Sequence, residues 1–188
     1  IKFTYGDRSD FSALKRVSEI TIAPVHSPSD IIKKVKLVPK YFGSTDEDKR
    51  LGLDSVVISA PGDTHPPQYV FTYESQVLPP YPYKMSIPKY NEDYWGYYNG
   101  ANANTLLPYD FISDTYGRQD YGSTRNPDPT GYYSKACMLK EIHYPTGGKT
   151  VFQFERNYAT NVYLYKSDSS DWDGYIGGFR IRSITNYD

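Results

Sequence analysis

At 188 residues, with 38% hydrophobic and 23% charged residues, the chain has apolar content enough for a packed domain and lacks the composition of a disordered segment. Its formal charge of −1, from 21 Lys+Arg against 22 Asp+Glu, shows none of the basic excess of a nucleic-acid binder. No apolar run approaches the ~20 residues that cross a bilayer, so no membrane insertion of this segment is expected, and the single Cys137 excludes an intrachain disulfide.

The apolar set is weighted to 21 Tyr and 8 Phe against 2 Met, which suits pleated, half-buried surfaces. Together with 14 Pro and 14 Gly as punctuation, it predicts an all-β fold. In chain order, residues 1–5 read as a strand with nothing before it, so the chain is expected to be an excerpt of a longer polypeptide. Residues 16–22 and 31–42 read as two strands around a Pro/Ser/Asp loop, and 50–58 and 69–73 as two more around Pro61-Gly62-Asp63. The clearest hairpin is 138–144 followed by 151–155, because Pro145-Thr146-Gly147-Gly148 supplies residues that tolerate the positive φ of a tight turn. Residues 179–188 read as the first half of another such unit.

This grammar stops between Leu78 and Ser134, a stretch dense in Pro, Tyr, Asn, Gly and Asp with hardly any β-branched residues. It is expected to be an ordered, aromatic-rich loop region with no regular element, and 159–175 a second irregular insertion. The architecture predicted is a single all-β domain over 1–188. Hairpin units lie at 1–78 and 135–188, and a loop-rich insertion spans 79–134. The hairpins form an antiparallel meander, as one large twisted sheet or a sandwich.

Few residues suggest chemistry. His26 and His65 sit beside Pro in loops, His143 lies on a strand, and none is paired at metal-ligand spacing. Cys137, beside Met138 and Leu139 at a strand start, is expected to be a small buried hydrophobe. Asp168, Asp171 and Asp173 alternate with Ser and Trp172 before Gly174, as oxygen donors do in a calcium loop. With that glycine as anchor, however, Arg180 falls where the bidentate Glu of an EF-hand belongs, leaving only a looser calcium site or a solvated turn. No cofactor is expected. A glycosidase would need two facing carboxylates, and Asp93, Asp110, Asp114, Asp120 and Asp128 are the candidates in the loop region. The densest recognition cluster is Tyr94, Trp95, Tyr97, Tyr98, Asn99, Asn102 and Asn104, which offers rings for the C–H faces of a sugar and amides for its hydroxyls. The same rings also serve as the core of a loop region that lacks aliphatic residues.

The run Asp93-Tyr94-Trp95-Gly96-Tyr97-Tyr98-Asn99-Gly100 resembles a signature of large bacterial cell-surface proteins of the YD-repeat (RHS-like) type. Arg125-Asn126-Pro127-Asp128, the hairpin from Met138 to Gly148, Gly177-Gly178-Phe179-Arg180-Ile181 and Ile184-Thr185-Asn186-Tyr187-Asp188 resemble it too. The resemblance implies a region upstream of or merging into the repeats. It also implies secretion, display at the cell surface, neighbouring β-repeat domains of the same parent chain as partners, and no established activity. A structural or adhesive module is therefore the expected function, with a glycan or a protein at the cell surface as the further partner. Carbohydrate binding around Trp95 is the alternative, and a carbohydrate-active hydrolase the remaining one.

Overall fold

A computed structural model describes residues 1–107, 123–162 and 172–188. The chain is all-β, as the composition predicts. Its strands are β1 (Lys2–Asp7), β2 (Lys15–Ile22), β3 (Lys33–Phe42), β4 (Arg50–Ser59), β5 (Gln68–Tyr73), β6 (Tyr90–Glu92), β7 (Tyr98–Ala103), β8 (Leu139–His143), β9 (Lys149–Val162) and β10 (Trp172–Tyr187). In hydrogen-bonded order the main sheet runs β1-β2-β3-β4-β5-β8-β9-β10, and β6 pairs with β7 separately. It is thus one sheet rather than a sandwich, and the hairpin segments on either side of the insertion share it through Val70↔His143 and Phe71↔Ile142.

The chain forms two compact units. One comprises Ile1–Glu74, Met138–Phe152 and Ile184–Asp188, the other Ser75–Cys137 and Gln153–Ser183. In the first unit the turns follow their sequence signals. Gly147 takes φ +97 while the Gly147 N–H donates to Tyr144 O (3.0 Å) and the Tyr144 N–H to Gly148 O (2.8 Å). At the β4–β5 turn Gly62 takes φ +88, and the Asp63 carboxylate accepts from the Ala60 N–H at 2.6 Å.

Register gives this sheet two unlike faces. Ladder partners share a face, and residues two apart along a strand share it as well. Phe3↔Ile20↔Val35↔Ile58, Leu37↔Val56↔Tyr69 and Phe71↔Ile142 therefore lie together, an apolar face in which Lys33, opposite Ile22, is the charged residue of these rows. The reverse face carries Thr4↔Glu19↔Lys36↔Val57↔Gln68 and Thr72↔Glu141. On the apolar face a trough of about 430 Å³ opens among Val17, Leu37, Pro39, Leu51 and Leu53, with Lys15 at its rim. Among the described residues no Val, Ile, Leu, Met, Phe, Tyr or Trp is fully buried; Ala103, in the second unit, is the buried member of the hydrophobic set.

Loops of the first unit are tied by carboxylates. Arg8 grips Asp10 through Nε (3.0 Å) and Nη2 (2.6 Å), and Asp10 also accepts from the Leu51 N–H at 3.2 Å. The Arg8 hydrogen bond holds the Asp10 carboxyl below its usual range against the opposing effect of burial. Asp48 accepts from the Ser44 and Thr45 N–H groups at 3.0 and 2.7 Å, closing the β3–β4 loop.

The stretch from 79 to 134, expected to lack regular structure, contains the β6–β7 hairpin and two single 3-10 turns, Pro82–Lys84 and Tyr133–Lys135. These strands escape a propensity reading because Tyr-Asn-Glu and Tyr-Asn-Gly-Ala-Asn-Ala carry no β-branched residue. The second insertion is shorter than 159–175, since β9 continues to Val162 and β10 begins at Trp172.

Gly52 is a sensitive point of the main sheet, because the Phe42 ring lies where its Cβ would be. Gly52→Ala is expected to lower stability by about 1–3 kcal/mol, read as a lower urea midpoint at unchanged m-value.

Candidate functional site

The aromatic and asparagine cluster lies in the second unit, and a buried carboxylate builds it. Asp93 is fully buried, and its Oδ1 accepts from the main-chain N–H groups of Trp95 (2.8 Å) and Tyr97 (3.0 Å). The Asp93 N–H donates to Tyr97 O at 2.8 Å, and Gly96 at φ +85 closes the β6–β7 turn. Arg125 clamps the outside of this turn. Its Nε and Nη2 donate to Asp93 O at 3.2 and 2.6 Å, and its Nη1 to Leu106 O at 2.8 Å. The turn rests on the glycine pair of β10. A Cβ on Gly177 would lie 2.6 Å from Asp93 Oδ2 and 2.8 Å from the Tyr97 ring, and one on Gly178 would lie 2.7 Å from that ring. Asp93 Oδ2 is buried without a hydrogen-bond partner among the described residues.

The seven recognition candidates separate on this scaffold. Tyr94, Trp95 and Tyr97 stay 38%, 41% and 45% exposed. The Tyr94 and Trp95 rings meet edge to face at 6.2 Å, and the Arg125 guanidinium stands 5.8 Å from the Tyr94 ring. Tyr98 packs instead against Tyr133, with ring centroids 5.2 Å apart. Burial, and then the nearby Tyr133 and Asp128, raise its pKa above the ordinary phenol value. Asn99 is buried and its amide is engaged within the fold, Nδ2 donating to Asn126 O (3.0 Å) and Oδ1 accepting from the Ala101 N–H (3.1 Å). Asn102 takes a left-handed φ of +53, which Asn tolerates, and its N–H bonds the Asn91 carboxamide. Asn104 accepts from the Lys89 ammonium. Of the seven candidates, Tyr94, Trp95 and Tyr97 on the turn and Asn102 and Asn104 beyond it are therefore exposed, whereas Asn99 is buried and Tyr98 half-buried.

A second carboxylate organises the segment leading to β8. Asp128 is 1% exposed, and its Oδ1 accepts from the Thr130 N–H and hydroxyl, both at 2.9 Å. Its Oδ2 accepts from the N–H groups of Tyr133 (2.6 Å) and Ser134 (3.1 Å). Burial by itself would raise the Asp128 pKa, but these donors outweigh it and hold the carboxyl below its usual range. Arg156 on β9 donates to Asp128 O and Pro129 O, each at 2.7 Å, and stacks 3.6 Å from the centroid of Tyr175.

Asp93 and Asp128 are the described members of the candidate acid set; both Asp128 oxygens and Asp93 Oδ1 accept from their own loops, and Asp93 Oδ2 has no partner among the described residues. Asp110, Asp114 and Asp120 lie outside the described residues, as do Asp168 and Asp171 of the candidate calcium loop; of Asp173 only the main chain is described. Among the described residues no group of three or more His, Cys, Asp or Glu could hold a metal ion. His143 Nε2 lies 3.0 Å from Glu141 Oε2. Cys137 is half-buried rather than buried and precedes β8, because its φ of +60 turns the chain there; its N–H donates to Gln76 O at 3.1 Å.

The sequence points to the aromatic residues of this cluster, whereas Asp93, Arg125, Asp128 and Arg156 build its loops. A local signal existed for the carboxylates, since Asp followed two residues later by a turn residue, as in Asp128-Pro129-Thr130, marks an Asx turn. The arginine partners had none, because they act on main-chain oxygens distant in sequence. No protein-family model, no curated protein and no solved structure matches the chain.

Asp128→Ala is expected to cost about 2–4 kcal/mol, since it leaves several buried N–H groups without an acceptor. With its folded pKa lowered, the carboxylate contributes in full above the unfolded value of about 3.9 and loses that contribution as pH falls through the folded value. Urea midpoints between pH 2.5 and 6 should therefore fall below about pH 4, with a shallower fall in Asp128→Asn. Gly177→Ala should displace the turn on Asp93 and change near-ultraviolet circular dichroism while the β signal persists.

Proposed function

We propose that the chain is a non-catalytic structural or adhesive module of a large secreted bacterial surface protein, whose sheet is continued by neighbouring β-repeat segments of the same polypeptide. The observation that carries this reading is the pair of sheet borders that no further strand continues among the described residues. A meander of eight strands leaves β1 and β10 at its two borders, and Phe3 and Tyr5 on β1 are 51% and 62% exposed. Consecutive strands pair antiparallel, and the contacts Thr150–Asn186, Gln153–Ser183 and Glu155–Arg180 run in opposite senses along β9 and β10. With an even number of strands the two borders are themselves antiparallel, so another hairpin extends the ladder at either one. The YD-repeat resemblance supports the same reading, and supports secretion to the cell surface.

A second reading rests on the exposed Tyr94-Trp95-Tyr97 turn, whose rings suit the C–H faces of a sugar. A glycan array, with Trp95→Ala as the comparison, separates the two. The structural reading expects a blank array for both proteins, and a Trp95→Ala variant less stable by about 1–2 kcal/mol through lost packing. Specific binding that disappears in a folded Trp95→Ala variant would replace it with the carbohydrate-binding reading. Shaving intact cells that produce the protein with an external protease tests location, and a chain protected until lysis would remove the surface assignment.

A further inference from the structure

The apolar face of the first unit is a surface that the proposed function leaves unused. The ladders that define it run through β1, β2, β3, β4, β5 and β8. Their interior members, Ile20, Val35, Leu37, Val56 and Phe71 among them, are only half-buried although they stand mid-sheet with neighbours on both sides. In a close-packed protein such positions lie beneath a second layer. A six-strand face, at about 4.8 Å per strand and about 3.3 Å per residue over about seven residues, spans roughly 650 Å². Side-chain relief brings the accessible area toward the roughly 800 Å² per partner of a standard specific interface.

We propose that a second copy of this chain covers this face, the two sheets packing apolar side to apolar side as a two-layer sandwich. The shape of the surface narrows the occupant. It is a broad field of β-branched, leucine and aromatic residues on strands, which another sheet matches over its whole width, as aligned sheets pack about 10 Å apart. Its charge narrows it further. Lys33 stands at the margin, and Lys15 at the trough rim is neutralised by Asp7, so an apolar and nearly neutral partner is required. The chain's own face has that composition and that area, and a two-fold axis lets each copy cover and be covered. The trough beside Leu37, Pro39 and Leu53 provides a depression for side chains of the opposing sheet. The interface uses the face and leaves the strand edges free, so it is compatible with continuation of the sheet by neighbouring repeats and goes beyond that reading.

Sedimentation equilibrium from about 1 to 100 µM tests this directly. The wild-type chain should reach twice its 21.5 kDa mass, with a dissociation constant of about 1 µM or below. Leu37→Glu, on the apolar face, should weaken association ~100-fold or more, whereas Lys36→Glu on the reverse face should leave it unchanged. If Leu37→Glu fails to fold, Leu37→Ala replaces it, with an expected weakening of ~10-fold. A folded wild-type chain that stays monomeric at 100 µM overturns the proposal. So does association that Leu37 substitutions leave intact, which would place the contact at the strand edges, or a monomer that retains co-purified lipid on this face. A monomer that is blank on the glycan array removes this inference alone, and a dimer that binds sugar through Trp95 removes the structural reading alone.

Discussion

The ladder between β5 and β8 is the contact on which the rest of the structure depends. It pairs Val70 with His143 and Thr72 with Glu141, and so joins segments some 70 residues apart. Closing a loop of that length costs about 4 kcal/mol in chain entropy, which four paired positions and their flanking strands must outweigh. The bond from the Glu74 N–H to Met138 O at 2.9 Å extends the pairing just past β5. Without this ladder the sheet would part into a five-stranded piece, β1 to β5, and a three-stranded one, β8 to β10.

The two units solve the burial problem by different chemistry. The first is an amphipathic sheet whose apolar residues are gathered by the period-2 register onto one side. The second has few aliphatic residues and is held by buried carboxylates that collect main-chain N–H groups. Asp93 gathers the turn carrying Trp95, and Asp128 gathers Thr130, Tyr133 and Ser134. Arginines then bind the carbonyls of those same residues, Arg125 on Asp93 and Arg156 on Asp128. Charge-assisted bonds of this kind are directional, so they specify irregular backbone where hydrophobic burial, which has no direction, does not. Acid sensitivity follows in the second unit from Asp128, whose carboxyl the donors of its loop hold below its usual range.

That division bears on function. Asp93 and Asp128 each accept main-chain N–H groups of their own loops, and the rings left exposed at Tyr94, Trp95 and Tyr97 stand on the turn that Asp93 and the glycine pair of β10 contact. Such presentation of aromatic residues suits a packing contact with a further segment of polypeptide as well as it suits a sugar, and binding measurements distinguish the two. Among the described residues the main sheet ends at β1 and β10, and the first unit carries an apolar face.

By itself the sequence determined the all-β class, the hairpins of the first unit and their turns, because alternation and turn chemistry are local properties of the chain. Phe71, Ile142 and Leu37 announce their strands, and Gly147 and Gly62 their turns. The same reading missed β6 and β7, whose Tyr-Asn-Gly-Ala strands are sustained by each other and by long-range bonds rather than by propensity. Only the tertiary structure decided that the two hairpin regions share one sheet, through pairing across the insertion. Only it separated the aromatic cluster, leaving Trp95 exposed while Asn99 is enclosed and Tyr98 packs against Tyr133. Nothing in the run from Tyr94 to Asn104 distinguishes those fates, since exposure there is set by Gly177, Arg125 and Tyr133, residues brought alongside by folding.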